Sequence, residues 1–215
     1  MVSAIPGSEF LTSALDVVSQ SLQIPVVIFL LIFAIAAIVL LGGLISEFIN
    51  RKKVSSDEMK RVIKALSKAS SESEMLDIVN GAEIPKTHKN DLGEIIQSSD
   101  MDIDSRISLA KEIVDSREKK LAKKLEWTDI ITRIGPTLGL MGTLIPMGPG
   151  LAALGNGDVV TLSNAIIVAF DTTVVGIGSG ALAYVVSKIR RRWYAEYIAH
   201  LDVLTDVVIN RIKKI

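Results

Sequence analysis

The 215-residue chain contains no cysteine, only two histidines and few aromatic residues. The absence of cysteine excludes disulfides, thiolate metal sites and thiol nucleophiles. The histidines, His88 and His200, are far apart in the sequence and have polar neighbours, so we expect both to be solvated surface residues rather than metal ligands. We therefore expect no metal and no cofactor, and nothing in the composition favours a nucleic-acid partner.

Charged residues are absent from residues 26–46, a run rich in Ile, Leu, Val, Phe and Ala. As a helix, this run would extend about 30 Å, the thickness of a bilayer hydrocarbon core. A cleaved signal peptide is the alternative. It needs a basic first region and a shorter apolar stretch, and residues 1–25 contain no Lys or Arg. We interpret the run as a retained transmembrane helix, in agreement with the mean hydropathy of +0.42.

Two further apolar regions, residues 128–154 and 160–187, are separated by a short turn-forming cluster, Gly155-Asn156-Gly157-Asp158. Helices joined by so short a turn must be antiparallel. The first of them is rich in Gly and Pro, a composition that neighbouring helices tolerate in a membrane because small residues permit close contact. A buried soluble hairpin is the alternative interpretation. We predict a transmembrane hairpin.

Basic residues decide the expected orientation. None occurs in residues 1–25 or 155–160, whereas residues 50–127 contain sixteen and the tail from Lys188 contains seven. The positive-inside rule then places the N-terminus outside and the large loop and C-terminus in the cytoplasm. The predicted divisions are an extracytoplasmic segment at 1–24, transmembrane helices at 25–49, 128–154 and 160–187, an outside hairpin at 155–159, a cytoplasmic helical region at 50–127 and a cytoplasmic helix at 188–215. The fold class is an all-α membrane protein with cytoplasmic helical extensions, assembled as an oligomeric bundle.

The cytoplasmic region predicts several polar helices, with breaks at Ser70-Ser71, Gly81, Pro85 and Ser98-Ser99. Asp104-Ser105 can cap a helix that continues without a breaker to Gly135, and so into the second span. After the third span, apolar residues recur at helical spacing from Ile189 to Ile212. That segment either lies on the lipid surface or packs against protein, and its acidic residues favour packing.

Polar residues gather near the middle of the hairpin. Asp171 lies about 16 Å into the third span, where a carboxylate costs about 2.5–3.5 kcal/mol on insertion scales. It either faces an ion path or is a structural carboxylate bonded to a neighbouring helix. Asn164 and Gly178, seven residues to either side, share its helix face. Thr172 and Thr173, and Thr143 in the second span, lie at the same depth, and with Asp171 and Asn164 they are the candidates for an ion path. Asp171 and Thr173 point to nearly opposite sides, so if one lines a pore we expect the other at a helix–helix contact. A threonine hydroxyl in such a helix ordinarily bonds to its own backbone.

Two strings in the hairpin resemble a known family. GPTLGLMGT at residues 135–143 is similar to the P-x-x-G-L-x-G-T signature of the MotA/TolQ/ExbB proton-channel family, and AFDTTVVGI at 169–177 is similar to its A-L-x-x-T-x-x-G-L pattern. The order of elements agrees as well. The resemblance implies a homopentamer around two copies of a single-span partner of the ExbD/TolR/MotB type, in which ion flow, usually of protons, drives mechanical work. It implies that Thr143 and Thr173 line the ion path, while Pro136, Gly139, Gly142 and Gly176 support helix packing.

The chain departs from that pattern at several positions. Val168 replaces a glutamate common in the TolQ and ExbB branches, Asp171 stands where the family is not usually acidic, and LIPMGPG at 144–150 replaces V-x-G-M. The chain therefore resembles prokaryotic relatives outside the TonB and Tol systems, with an archaeal branch as one expectation. The primary hypothesis is a stator subunit that conducts ions, and the alternative is a non-conducting membrane scaffold. A membrane enzyme is disfavoured because no nucleotide loop, metal cluster or paired base and nucleophile is found. A self-contained channel is disfavoured because the chain offers a single mid-span carboxylate.

Overall fold

The computed structural model describes residues 8–51 and 53–215, so the first seven residues of the predicted extracytoplasmic segment and Lys52 lie outside it. The described part consists of helices and contains no strand, which confirms the predicted all-α class. Three helices are long and apolar enough to cross a membrane: α1, α5 and α6. The helices are α1 Ser8–Asn50, α2 Ser56–Leu66, α3 Glu72–Gly81, α4 Lys86–Gln97, α5 Ile103–Gly155 and α6 Val159–Ile212.

The chain divides into two compact units. One, here called the apolar unit, comprises the residues up to Ile45 together with Glu126–Lys188. The other, the polar unit, comprises Ser46–Leu125 and Ile189–Ile215. Helices α5 and α6 each continue without interruption between the two sets of residues, so the predicted continuous helix from the region of Asp104 into the second span is confirmed.

In the apolar unit, α1 buries one stripe and exposes the rest of its surface. The stripe packs against α5 and α6 through two small clusters, which also contain Ile145, Ile131 and Ala183. Other α1 side chains, such as Ile35 and Ile38, remain about two-thirds exposed. An all-round apolar helix with one buried stripe is what a membrane permits, because its exposed side can face lipid. The buried stripe follows helical spacing: Val26, Leu30, Phe33, Ala37 and Leu44.

The predicted turn between the second and third spans is present between Gly155 and Val159. Gly157 adopts φ +83°, a left-handed conformation that favours glycine, and its amide donates to the carbonyl of Leu154 at 2.9 Å. Asp158 then caps α6, accepting hydrogen bonds from the amide and the hydroxyl of Thr161 at 3.0 and 2.5 Å. These bonds lower the pKa of Asp158. The local chemistry therefore closes one helix and starts the next within a few residues.

The polar unit has its own hydrophobic core, formed where α2, α3 and α4 pack with the first part of α5 and the last part of α6. Leu204 and Val208 of α6 are fully buried in it. The amphipathic tail of α6 therefore packs against protein, which confirms that alternative over a helix lying on lipid. Ion pairs add to this arrangement, with Arg51 at 2.6 Å from Glu196. The predicted breaks near Ser70, Pro85 and Ser98 fall between helices, and Gly81 is the last residue of α3.

Side chains cap the starts of α2, α3 and α5, with one difference from the prediction, whereas α4 follows Pro85 without a side-chain cap. Ser55 and Ser71 accept hydrogen bonds from the amides of Glu58 and Glu74 at 3.1 and 3.2 Å. At α5 the capping residue is Asp102 rather than Asp104, because its carboxylate accepts from the amide of Asp104 at 3.2 Å and lies 2.5 Å from the Ser105 hydroxyl. The helix therefore begins earlier than the capping motif predicted from Asp104-Ser105.

Arg106 ties the end of α4 to α5. Its guanidinium is almost fully buried and donates to the carbonyls of Ile95 and Ile96, the latter at 2.5 Å. It also forms an ion pair with Glu72 at 2.7 Å. Because the last carbonyls of a helix have no partner within that helix, an arginine from the next helix satisfies them and complements their partial negative charge.

His88 does not lie on the surface as predicted. It is 1% exposed, its ring packs against Tyr197 with centroids 4.1 Å apart, and neither ring nitrogen makes a hydrogen bond. Burial lowers the pKa of His88 to about 4. Asp91 and the backbone of Tyr197 partly oppose this shift, while His200 and Arg117 add to it. His88 is therefore a neutral core residue close to His200, not a solvated one.

The helical period of α4 explains this correction. The polar neighbours of His88 in sequence point to other sides of the helix, whereas Leu92 and Ile95 follow at spacings of four and seven and are fully buried. The polar sequence neighbours of His88 therefore led to a wrong prediction of exposure. The helical periodicity of α4 would have predicted its burial. Among the residues that the structure describes, no group of His, Cys, Asp and Glu could hold a metal ion.

Candidate functional site

The hairpin of α5 and α6 is held together by direct backbone contact. A Cβ atom added to Gly176 would lie 2.7 Å from the Cα of Gly139 and 2.7 Å from the carbonyl oxygen of Gly135. Real Cβ atoms do not approach other atoms so closely, so only glycine fits this contact. The absence of side chains lets the helices approach to the distance that small residues provide in membrane helix pairs.

The contact continues to both sides of this centre. Toward the turn, a Cβ at Gly142 would lie 2.6 Å from the Cβ of Thr172. Away from the turn, a Cβ at Gly180 would lie 2.7 Å from the ring of Pro136. We call this line of contacts the glycine seam. It consists of Pro136, Gly139 and Gly142 on α5 and Thr172, Gly176 and Gly180 on α6.

Thr172 belongs to the seam. It is 7% exposed, and its hydroxyl lies 2.9 Å from the carbonyl of Val168 and 3.0 Å from that of Ala169 in its own helix. Its methyl and Cβ face Gly142. A threonine so placed fills space between two helices and satisfies its hydroxyl locally. Of the ion-path candidates, Thr172 is thus the one that the structure places in helix packing.

Thr143 and Thr173 flank the seam and are each partly exposed. The hydroxyl of Thr143 donates to the carbonyl of Leu140 at 2.7 Å, and that of Thr173 donates to the carbonyl of Ala169 at 2.9 Å. Because Gly142 packs on Thr172, their immediate neighbours Thr143 and Thr173 lie within about one helical turn of the same depth. Both hydroxyls keep oxygen lone pairs that can accept a hydrogen bond or contact a cation.

Asp171 and Asn164 are exposed on α6. In the part of the chain that the structure describes, neither side chain makes a hydrogen bond or an ion pair. The alternative in which Asp171 is bonded to a neighbouring helix is therefore not observed within this part of the chain. Gly178, on the same face, is open as well, with nothing within 4 Å of an added Cβ. The structure therefore separates a packed seam from an open polar face on the same helix.

Sequence reasoning missed a polar pair at the end of the hairpin far from the turn. The hydroxyl of Ser187 donates to Oδ1 of Asp129 at 2.9 Å, and Ser187 is 5% exposed. Asp129 lies one residue inside the predicted second span. A carboxylate there was the available signal, because an apolar segment does not readily accommodate one without a partner. The pair fastens α5 to α6 beyond the glycine seam.

These features define the class of the protein. Three long apolar helices, two of them in backbone contact and with polar side chains at mid-length, form a multi-pass helical membrane protein. Residues 82–202, more than half of the chain, match the sequence model of the MotA/TolQ/ExbB proton channel family. The chain belongs to this family, as the two strings in the hairpin indicated. A comparison with curated proteins found no match.

The family match extends beyond the two motifs. It begins before α4 and includes all of α5, the turn and most of α6. The family is associated with channels and transport rather than with catalysis, and its members generally work with single-span partner proteins in membrane complexes. The part of this chain that matches therefore contains both the hairpin and the helices that continue from it into the polar unit.

Proposed function

We propose that the chain is the stator, or proton-channel, subunit of a motor complex in the plasma (inner) membrane. The complex would couple ion flow, expected to be of protons, to mechanical work or transport through a single-span partner of the ExbD/TolR/MotB type. The subunit would form a homopentamer around that partner, as the family resemblance implies. The observation that carries the proposal is the glycine seam, which holds Thr143 and Thr173 at one depth.

The seam supports conduction because an ion path needs polar groups in fixed positions. At the glycines of the seam, any larger residue would overlap the facing helix. Packing this close leaves α5 and α6 little freedom to slide or rotate against each other. Thr143 and Thr173 follow directly after two seam residues, Gly142 and Thr172. The seam therefore also fixes the positions of Thr143 and Thr173 along the helices. A functional group carried on rigid helices is held more precisely than one on a loop.

The two hydroxyls suit proton transfer in particular. Each donates its proton to its own helix, so its oxygen is oriented and can accept a hydrogen bond from a water molecule or a protonated carboxyl group. In the resemblance on which the proposal rests, the main ion-carrying carboxylate belongs to the partner helix. Thr143 and Thr173 would then position that group or its waters rather than bind the ion alone.

The charge distribution supports the proposed orientation. The hairpin turn carries no Lys or Arg, whereas basic residues are dense in the polar unit. By the positive-inside rule, this asymmetry supports our proposal that the turn and the N-terminus lie outside and the polar unit in the cytoplasm. The predicted divisions at 25–49, 128–154 and 160–187 remain our proposal for where the helices cross the bilayer.

The exposed polar groups support an assembly. Asp171 and Asn164 are exposed on the single chain near the middle of a helix that would cross the membrane. Polar groups facing hydrocarbon are costly, so other protein or a water-filled lumen is expected to cover them. Copies of this chain and a central partner would provide both.

A non-conducting scaffold is the second candidate, and one observation favours it. The hydroxyls of Thr143, Thr172 and Thr173 are all bonded to their own helices, which is also what a purely structural hairpin requires. A scaffold would use the seam to present a rigid surface to its partners. The two functions differ in whether the threonine hydroxyls are needed for ion flow.

The test is ion flux through the complex reconstituted with its single-span partner in vesicles, measured with a pH-sensitive dye. Thr143→Ala and Thr173→Val each remove a hydroxyl group. At Thr173, the substitution by valine leaves the side-chain volume almost unchanged. We expect both to abolish flux while native mass spectrometry shows an unchanged subunit count. Thr137→Val is the matched control, because Thr137 also lies on α5 and its hydroxyl also donates to its own helix, at Arg133.

Unchanged flux in both variants, with an intact assembly, would support the scaffold instead. The subunit count from the same native mass spectra tests the homopentamer independently. A protein that assembles but conducts no ions before any substitution would contradict the stator proposal itself.

A further inference from the structure

We propose that Asp129, positioned by Ser187, is the proton acceptor at the cytoplasmic end of the ion path. The inference rests on the proposed function and its orientation, because it needs a path along which protons reach the cytoplasm. Both residues lie in the apolar unit. The Ser187 hydroxyl donates to Oδ1 of Asp129 at 2.9 Å, and Ser187 is 5% exposed. This buried hydrogen bond holds the carboxyl group in one orientation.

The pair repeats the placement of Thr143 and Thr173. Asp129 precedes Thr143 by fourteen residues on α5, and Ser187 follows Thr173 by fourteen residues on α6. Fourteen residues span about 21 Å along a helix and change the direction of a side chain by only about 40°. Because α5 and α6 are antiparallel, both steps lead away from the turn. Asp129 and Ser187 therefore each lie on the same side of their helix as the threonine that lines the proposed path.

Asp129 and Thr143 also point away from α1. Within the apolar unit, α1 packs against Ile131, Met141 and Ile145 of α5. Asp129 is two residues from Ile131, and Thr143 is two residues from both Met141 and Ile145. Two residues turn a helix by about 200°, so both polar side chains lie on the side of α5 opposite α1. A central partner can reach this side while the exposed surface of α1 faces lipid.

The depth of Asp129 suits the end of a path. Thr143 lies twelve residues, or about 18 Å, from Gly155 at the end of α5, whereas Asp129 lies twenty-six residues, or about 39 Å, from it. A hydrocarbon core is about 30 Å thick. With the turn outside, Thr143 is near the middle of the core and Asp129 is at its cytoplasmic boundary. Asp129 is partly exposed, so cytoplasmic water can reach its carboxyl group.

Charged residues also lie near Asp129. Glu126 and Arg133 are three and four residues away on α5, so they share its helix face. On α6, the amine of Lys188 lies 5.5 Å from the centre of the Tyr184 ring. Along α5 from the middle of the span, Asp129 is the first carboxylate, and Glu126 follows about 4.5 Å beyond it. A proton that leaves the span therefore meets Asp129 before Glu126.

The transfer is balanced without a further reactant. A hydronium ion that has passed Thr143 and Thr173 gives a proton to the Asp129 carboxylate, which leaves a water molecule and a neutral carboxylic acid. The acid then gives the proton to cytoplasmic water, which forms hydronium and restores the carboxylate. Ser187 keeps its own proton throughout, so it is a positioning residue.

The first test is proton current through the complex with its single-span partner in a bilayer. Asp129→Asn keeps an oxygen that accepts from Ser187 but no longer takes up a proton. We expect it to lower the current by roughly 10-fold, less than the 100-fold of a fully effective transfer group, because water at the boundary can accept some protons in its place. Glu126→Gln is the matched control, since it removes an equal charge from the same helix face, and it should leave the current unchanged.

An Asp129→Asn current equal to that of the unsubstituted complex would overturn the proposal. Equal losses in Asp129→Asn and Glu126→Gln would overturn it as well, since the loss would then follow from the total charge at this boundary.

The second test separates a lost proton acceptor from a damaged structure. Phosphate added on the cytoplasmic side is a mobile proton acceptor that does not cross the bilayer. It should restore most of the Asp129→Asn current and change the current of the unsubstituted complex little. A current that phosphate does not restore would show that Asp129 is structural and would overturn the proposal.

Ser187 is tested in the same way. Ser187→Ala should lower the current less than Asp129→Asn does, and phosphate should restore it, whereas Ser187→Thr keeps a hydroxyl and should retain the current. An unchanged current in Ser187→Ala would overturn the positioning role. Should Asp129→Asn not assemble, Ser187→Ala decides the question, because a loss that phosphate restores supports the proposal and any other result overturns it.

The outcomes also separate this inference from the proposed function. If Thr143→Ala and Thr173→Val abolish the current and Asp129→Asn does not lower it, the stator function stands and the role of Asp129 fails. If the unsubstituted complex conducts no protons, the proposed function fails, and the inference that rests on it fails with it.

Discussion

Gly139 and Gly176 touch through their backbones, so that a methyl group built on Gly176 would lie 2.7 Å from the Cα of Gly139. Helices in contact at this distance are rare in water-soluble proteins, because larger apolar side chains usually separate the helices there. The contact fixes the hairpin at its centre. The contact also determines which nearby side chains can reach an ion or a partner, because residues in the seam are buried between the two helices.

Gly176→Ala should destabilise the hairpin by about 1–3 kcal/mol, the usual cost of overpacking a close contact. The added methyl cannot be accommodated by rotating a side chain, since it would meet the backbone of Gly135 and Gly139. Thermal unfolding of the protein in detergent, followed by circular dichroism, measures the effect.

The matched control is Gly178→Ala, two residues further along the same helix. An added Cβ there meets nothing within 4 Å, and alanine is the better helix former, so stability should be unchanged or slightly higher. Equal losses in the two variants would show that the seam does not hold the hairpin together.

Gly142 and Thr172 should be energetically coupled. Gly142→Ala alone places a methyl 2.6 Å from the Cβ of Thr172 and should cost about 1–3 kcal/mol. Thr172→Gly removes that Cβ, so the methyl group of Gly142→Ala no longer meets it. The double variant should therefore lose roughly 1 kcal/mol less unfolding free energy than the two single variants lose together. A double-mutant cycle of unfolding free energies measures the coupling, and strict additivity would refute direct contact.

Arg106 and Arg61 provide a comparison of buried and exposed ion pairs of equal length. Each lies 2.7 Å from a glutamate, Arg106 from Glu72 and Arg61 from Glu58, but the Arg106 side chain is 6% exposed and that of Arg61 is 65% exposed. Arg106→Ala should cost about 1–3 kcal/mol, because it leaves the buried carbonyls at the end of α4 without this partner. Arg61→Ala should cost much less, because solvent screens the ion pair of an exposed guanidinium. Urea titrations of both variants measure the difference, and similar losses would contradict the assigned role of Arg106.

His88 should make the polar unit less stable in acid. Because burial lowers its pKa in the folded state from 6.5 to about 4, the unfolded chain binds more protons between these values. Stability is therefore full above pH 6.5 and falls as the pH decreases toward 4, by roughly 2 kcal/mol between pH 7.5 and pH 5. Chemical denaturation at both pH values measures the loss.

His88→Phe keeps a ring against Tyr197 and cannot bind a proton, so the loss between pH 7.5 and 5 should shrink by most of that amount. His200→Gln is the control, since it removes the neighbouring histidine but leaves His88 in place. The charged groups around His88 are Asp91 and Arg117, which form a bidentate pair with distances of 2.8 and 2.6 Å. An unchanged pH dependence in His88→Phe would show that groups other than His88 cause the loss.

Much of the architecture could be predicted because it depends on local patterns. The turn predicted at Gly155-Asn156-Gly157-Asp158 and the breaks near Ser70, Pro85 and Ser98 lie at helix ends, and three helices are long and apolar enough to cross a membrane. Each depends on hydrophobicity along a helix or on turn-forming residues, and these properties are readable from neighbours in sequence. The capping residue of α5 differed because Asp102 and Asp104 are both capable caps.

Contacts between distant segments could not be predicted in the same way. The pairing of Asp129 with Ser187, the burial of His88 against Tyr197 and the capping of α4 by Arg106 each join residues that are ten or more positions apart. Depth along the hairpin was predictable from residue counting. Rotation of each helix about its axis was not, and rotation decides which threonine packs and which remains open.

The sequence by itself determined that this chain has three helices long and apolar enough to cross a membrane and belongs to the MotA/TolQ/ExbB proton channel family, because hydrophobic length and two short motifs carry that information directly. Only the tertiary structure decided that Thr172 lies in the seam while Asp171, one residue earlier, is exposed and has no partner among the described residues. Adjacent residues on a helix point about 100° apart, and which of those directions meets another helix is fixed by packing.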